Sequence, residues 1–140
     1  MHYAVLRYFI GRFLSCYIEN TDLCRKGRII FMKILILNSS PRRNGNISKM
    51  LEAMKQEIEC CNAEAIYVRV PELKVRPCIG CMKCRSSLRC CLPEDDAQRV
   101  LQSIRDADAL IIGAPCYWGN MPGELKVLFD RMAVSYTHLR

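Results

Sequence analysis

No run of 18 or more apolar residues occurs in these 140 residues, so nothing in the sequence spans a bilayer. Histidine is nearly absent: His2 and His138 lie outside the part that reads as a folded domain, and no acid–base residue stands out there. Neither Gly-x-x-x-x-Gly-Lys-Ser/Thr nor Gly-x-Gly-x-x-Gly occurs, which excludes a Walker loop and a dinucleotide fingerprint. The formal charge of +7 is not gathered into a basic face. Residues 1–31 hold five Arg/Lys against two acids, whereas residues 32–139 carry 15 basic and 12 acidic side chains with no basic stripe among aromatics. That distribution argues against a nucleic-acid partner. No small-residue cleavage site follows the apolar stretch Met1–Cys16, in which Arg7 and Arg12 are embedded, so a secretory signal is not expected.

Cysteine, by contrast, is plentiful, at ten residues, and five of them crowd into Cys78–Cys91. In a short secreted chain such a number would read as a disulfide framework. The surrounding strand–helix pattern favours a reducing cytoplasm instead, with the clustered thiols free or bound to metal.

At about 100–200 residues per domain, the chain has room for one. Met1–Phe31 shows no clean helical or strand period and reads as an N-terminal extension, with Met32 as the expected true start. A helix packing on the domain is the alternative for that segment. Lys33–Leu37 is a short apolar run of the kind buried on both faces of a parallel sheet. Ile47, Met50, Leu51, Met54 and Ile58 then follow at helical spacing. Ala65–Val70 reads as a second strand ending at Pro71, and Glu94–Arg105 as a helix with Val100, Leu101 and Ile104 inward. Ala109–Gly113 reads as a third strand, and a last helix starting near Asn120 or Pro122 carries Leu125, Leu128, Phe129 and Met132 on one stripe. This alternation predicts an α/β fold with a parallel, doubly wound sheet and right-handed crossovers. The pattern then stops, so the third strand is expected to be left unpaired and the domain, residues 32–134, truncated. Residues 135–140, Ser-Tyr-Thr-His-Leu-Arg, resemble a translated sequencing-adapter tail and read as non-native; a short C-terminal strand is the alternative.

The loop after the first strand runs Ser39-Ser40-Pro41-Arg42-Arg43-Asn44-Gly45-Asn46-Ile47-Ser48. Hydroxyls, a glycine, backbone N–H groups and a helix N-terminus converge there, which suits a dianionic phosphate. A merely capped turn is the alternative for such a loop on its own. The stretch resembles the Gly-Ser-Pro-Arg-x-x-Gly-Asn-Thr phosphate loop of the NADPH-dependent FMN reductase family, which has a flavodoxin-like fold. Ser39 replaces the usual glycine and Ile47 the common threonine, with Ser48 offering a hydroxyl one residue later. The resemblance implies phosphate contacts from Ser39, Ser40, Arg42, Asn44, Asn46 and Ser48.

The loop after the third strand, Pro115-Cys116-Tyr117-Trp118-Gly119-Asn120-Met121-Pro122, precedes Leu125-Lys126 and Asp130-Arg131. It is similar to the family's Pro-x-Tyr-Trp-Gly-x-Met/Pro loop and Leu-Lys-x-x-x-Asp-Arg helix. A flavin ring needs an aromatic wall and backbone donors, and Pro115, Tyr117, Trp118, Gly119, Asn120 and Met121 are the residues implied for it. Core burial of the lone tryptophan is the competing reading. Together the two loops make the resemblance cover residues 32–131.

Cys78, Cys81, Cys84 and Cys90 stand in C-x2-C-x2-C-x5-C spacing, with Cys91 as an alternative fourth thiol. Three thiolates at two-residue intervals and a fourth beyond them suit a [4Fe–4S] cluster, and Lys83, Arg85 and Arg89 would offset its charge. The motif resembles that of the iron–sulfur flavoproteins, which share this domain. Other members of the wider family have a similar segment, with Cys91-Leu92-Pro93-Glu94-Asp95-Asp96 as its ending and no demonstrated cluster; zinc is a further alternative. Cys60, Cys61 and Cys116 have no partner pattern and are expected to be buried thiols. The resemblance implies a three-layer α/β/α flavodoxin-like domain with three of five strands present. It implies FMN as cofactor, NAD(P)H as donor, a small-molecule or protein electron acceptor, and homo-oligomers. An iron–sulfur electron carrier and a non-catalytic fragment are the other classes left open.

Overall fold

The computed structural model describes residues 32–87 and 89–132, so the expectations for residues 1–31 and 135–140 lie outside the described residues. Three strands form one parallel sheet: β1 (Lys33–Asn38), β2 (Glu64–Arg69) and β3 (Ala109–Gly113). Among the described residues, four α-helices accompany them: α1 (Asn46–Cys60), α2 (Cys84–Ser87), α3 (Asp96–Asp106) and α4 (Gly123–Asp130). Strand order is β2-β1-β3, with Ile34–Asn38 paired to β3 and Lys33–Asn38 to β2. The α/β, parallel-sheet architecture expected from the alternating pattern is therefore present.

The apolar run of β1 occupies the centre because both its faces are covered. Ile34 and Ile36 pack with Leu51 and Ile58 of α1 on one side. Leu35 and Leu37 pack with Val100 of α3 and with Leu125 and Leu128 of α4 on the other. Leu35, Ile36 and Leu37 have no exposed surface at all, and each such side chain contributes about 1.5–3 kcal/mol on burial. Helices on both sheet faces complete three layers.

Four details depart from the sequence-based expectation. The third strand is not unpaired: β3 shares a full ladder with β1 and leaves open its outer edge, where Leu110 and Ile112 are partly uncovered. Met50 points to solvent, because three residues beyond Ile47 is roughly 60° off the line toward the sheet, at the margin of the stripe. Val70-Pro71-Glu72 leaves the second strand as a 3-10 turn, since proline at its second position supplies no ladder donor. Cys60, Cys61 and Cys116 are exposed rather than buried. The first two sit where α1 ends beyond the sheet, and Cys116 stands on the loop outside β3.

The sheet fixes where a ligand goes. The chain passes from β1 to β2 on one side, then returns to place β3 on the other, so strand direction of travel reverses between β1 and β3. In open α/β sheets that switch point, at the carboxyl ends, is the ligand crevice. The Ser39 N–H donates to the Gly113 carbonyl at 2.8 Å, tying the two strand ends together. Close packing of α1 onto β3 depends on Gly113, where a Cβ would lie 2.5 Å from Leu51 Cδ1 and 2.9 Å from both Leu51 Cγ and Ile47 Cγ2. We expect Gly113→Ala to cost roughly 1–3 kcal/mol by overpacking. A lowered urea midpoint at unchanged slope is the expected readout, and an unaltered midpoint would contradict the packing.

Candidate functional site

The first loop is shaped by a buried side chain at the end of β1. Asn38 is fully buried; its Nδ2 donates to Ser48 Oγ at 2.9 Å and Tyr67 Oη at 2.7 Å, while its Oδ1 accepts from the Ser40 N–H at 2.9 Å. Ser48 in turn donates to the Arg42 carbonyl at 2.8 Å, and the Gly45 N–H reaches the same carbonyl at 3.3 Å. The loop is thus folded back on the start of α1. Gly45 is the N-cap and no side chain caps the helix, whose first turn holds no acid. The first-turn N–H groups and the positive end of the helix dipole are left facing the crevice. Outside the loop, Arg69 Nη2 donates to the Ser40 carbonyl at 3.3 Å, and Glu72 holds both Arg69 and Arg43.

The second loop is a tight hairpin. Tyr117 and Asn120 exchange backbone hydrogen bonds of 2.8 and 2.9 Å across Trp118 and Gly119. Both central residues are left-handed, at φ 51° and 75°, as a type I′ turn requires. Glycine adopts that conformation freely, whereas tryptophan does so at a cost. Trp118 consequently stands wholly outside the core, ruling out the core-tryptophan reading. Asn120 Oδ1 accepts from the Met121 N–H at 2.8 Å, and Pro122 is then the N-cap of α4.

These loops share one cavity of about 660 Å³, lined by Ser40, Arg42, Asn44, Gly45, Asn46 and Ile47 from the first and by Pro115 and Tyr117 from the second. Of the residues expected from sequence, Ser40, Arg42, Asn44, Asn46, Pro115 and Tyr117 are brought together there. Ser39 and Ser48 lie behind the lining; Ser48 is committed to the loop, while the buried Ser39 Oγ has no partner among the described residues. Trp118, Gly119, Asn120 and Met121 lie on the exposed hairpin beyond it. Sequence reasoning overlooked Asn38, Tyr67 and Arg69. Of these, Asn38 carried a legible sign, a carboxamide closing an otherwise apolar strand.

The donor set fits FMN on observations independent of any resemblance. An uncapped helix start, Ser40, a guanidinium and two amides line one end of the cavity, with the unpartnered Ser39 hydroxyl buried behind them. A proline and a tyrosine face the other.

The cysteine segment forms a second, smaller centre. Cys78, Cys81, Cys84, Cys90 and Cys91 line one cavity of about 60 Å³ with Asp130 and Arg131. Left-handed Gly80 and Met82, at φ 65° and 59°, turn the loop tightly around Cys81. Cys81 and Cys91 Sγ are 3.1 Å apart. The Lys83 N–H, then Cys91, hold the Cys81 thiol below its ordinary value, while the same contact pushes Cys91 up. Among the described residues no three acidic, histidine or cysteine side chains stand in position to share one metal ion, so the four-thiol set Cys78, Cys81, Cys84 and Cys90 is gathered but not drawn together. Cys90 and Cys91, the two alternatives for a fourth thiol, both line the cavity, and Cys91 is the one that touches Cys81. The five thiols around one cavity supply the donor types, though not the drawn-in geometry, of a thiolate-bound metal centre.

A clasp closes the base of this segment. Asp95, the N-cap of α3, accepts from the Ala97 N–H, from the Arg76 N–H at 3.0 Å and from Arg131 Nη1 at 2.9 Å. Arg131 Nη1 also donates to the Arg76 carbonyl at 2.8 Å. Burial alone would raise the Asp95 pKa, but the Arg76 N–H, the Arg131 guanidinium and the Ala97 N–H together hold it below the usual carboxylate value.

A family model for NADPH-dependent FMN reductase matches residues 32–140, and the chain belongs to that family. It is 34% identical over 104 residues to an iron-sulfur flavoprotein of Archaeoglobus fulgidus, covering 74% of this chain and 50% of that protein. Over 100 residues it is 36% identical to an iron-sulfur flavoprotein of Methanosarcina thermophila, covering 71% and 52% respectively. It is 31% identical over 105 residues to an FMN-dependent NADH:quinone oxidoreductase of Stenotrophomonas maltophilia, covering 74% and 53%. The chain spans about half the length of these curated relatives.

Trp118 carries the local cost of the hairpin, and asparagine tolerates the same backbone. Trp118→Asn is expected to raise stability by about 1 kcal/mol, seen as a higher thermal midpoint, while weakening retention of FMN. A midpoint at or below that of the unsubstituted protein would contradict a strained, function-serving tryptophan.

Proposed function

We propose that the chain forms the phosphate- and ring-binding part of an FMN-dependent NAD(P)H oxidoreductase. The observation that carries this is the single cavity at the β1/β3 switch point that draws lining residues from both loops. The chemistry is that of bound flavin: acceptance of a hydride from reduced nicotinamide and delivery of one or two electrons to an acceptor. The protein's own residues bind and orient. Ser40 and the first-turn N–H groups of α1 hold the phosphate, with Arg42 supplying counter-charge and Asn44 and Asn46 further donors. Ser39 offers its free hydroxyl from behind, and Ser48 acts through the shape it gives the loop. Pro115 and Tyr117 wall the ring, and Trp118, Gly119, Asn120 and Met121 form its outer rim. The acceptor is a small molecule or a redox protein. A homo-oligomer that covers the hairpin is supported by the open surfaces of Trp118, Tyr117 and Met121. The free thiols among the described residues favour a reducing, cytoplasmic setting. No helix among those residues is long and apolar enough to cross a membrane.

A second redox centre is favoured by the five cysteines around one cavity. Cys78, Cys81 and Cys84, with Cys90 or Cys91, would hold a [4Fe–4S] cluster, which would supply one-electron chemistry beside the flavin.

Titration with FMN and with riboflavin tests the main reading. Two charge-assisted hydrogen bonds to phosphate at roughly 1.5 kcal/mol each make FMN bind on the order of 100-fold more tightly. Oxidation of NADH or NADPH should accompany FMN retention. Equal affinity for the two flavins, or retention of neither, would contradict it.

A further inference from the structure

Arg131 is the one fully buried charged side chain among the described residues. Only one of its nitrogens is engaged: Nη1 serves Asp95 and the Arg76 carbonyl. Nε and Nη2, equally shut off from water, have no partner among the described residues. Those two nitrogens form the edge of the guanidinium that takes an anion in two parallel hydrogen bonds. Native structures rarely leave buried charged donors unpaired, so this edge requires an acceptor. Arg131 lines the cysteine cavity alongside all five clustered thiols.

A cluster held by four thiolates carries net negative charge, and its potential depends on hydrogen bonds to sulfur and on nearby charge. We propose that the Nε/Nη2 edge of Arg131 donates to sulfur atoms of the centre held by the cysteine segment and sets its potential. The proposal rests on the [4Fe–4S] reading given above. Adding one electron to such a centre adds one negative charge beside the guanidinium, which stabilises the reduced state and raises the midpoint potential. Arg131 is therefore a positioning and tuning residue rather than a ligand.

Arg131 also borders a neighbouring cavity of about 420 Å³ with Arg89, Gln98 and Arg105, where a soluble anion would be the rival acceptor. The test is anaerobic reconstitution of the full chain with iron and sulfide, followed by redox titration monitored by electron paramagnetic resonance. Arg131→Lys keeps a charge for Asp95 but loses the paired donors; Asp95→Asn keeps the donors but neutralises the clasp. We expect both variants to bind iron, with the potential of Arg131→Lys shifted negative and that of Asp95→Asn shifted positive, because a neighbouring negative charge is removed. An Arg131→Lys variant that keeps its secondary structure but holds no iron, while Asp95→Asn holds it, would make the edge a requirement for holding the centre and overturn the tuning role. Equal shifts in both variants would reduce Arg131 to a clasp and overturn the proposal. So would an unshifted Arg131→Lys, which is the result expected if the edge serves a soluble anion. A parent chain that takes up no iron would remove the cluster reading and this proposal together, an outcome distinct from the others.

Discussion

Asn38 has no contact with solvent, yet every hydrogen-bonding group of its carboxamide is used: one bond to α1 through Ser48, one to β2 through Tyr67, and one to the backbone of Ser40. A polar group in that position would otherwise cost about 1–3 kcal/mol unpaired. Satisfying it requires α1 to start close to the end of β1 and the intervening loop to fold back over its own helix. The uncapped first turn of α1, and the cavity beside it, follow from that constraint. Ser48 is the second half of the device, since its hydroxyl accepts from Asn38 and donates to Arg42. Asn38 and Ser48, which hold the loop in this shape, are themselves shut away behind the cavity lining.

A second constraint acts at the other strand. Gly113 lets α1 lie against β3, and its carbonyl receives the Ser39 N–H. The two loops cannot separate without breaking that bond. Beyond it, the left-handed pair Trp118–Gly119 turns the chain sharply and holds the lone tryptophan away from the core. A costly backbone state at such a position is what a binding loop carries when function outweighs local stability.

Much of this was legible in the sequence. The continuous apolar run Lys33–Leu37 predicted a strand buried on both faces, and β1 is that strand. Both loops were visible because glycine, serine, asparagine and proline punctuate strand ends in ways hydrophobic periodicity does not. What escaped was tertiary. Helical spacing alone placed Met50 inward, but the sheet covers only the centre of the stripe. Cysteine's general preference for burial failed for Cys60, Cys61 and Cys116, which lie where no second element covers them. The Asp95–Arg76–Arg131 clasp joins residues 55 positions apart, and no local pattern announces it. Sequence spacing left Cys90 and Cys91 both open as the fourth thiol; in the fold both line the cavity, and Cys91 lies against Cys81.

Two loops, from different strands, form one cavity, and FMN is the ligand proposed for it. Hydrogen exchange read by mass spectrometry, with and without FMN, measures that directly. Peptides spanning 39–48 and 115–121 should both gain protection on adding FMN, with β2 unchanged. Protection of one loop alone, or of neither, would contradict a shared site.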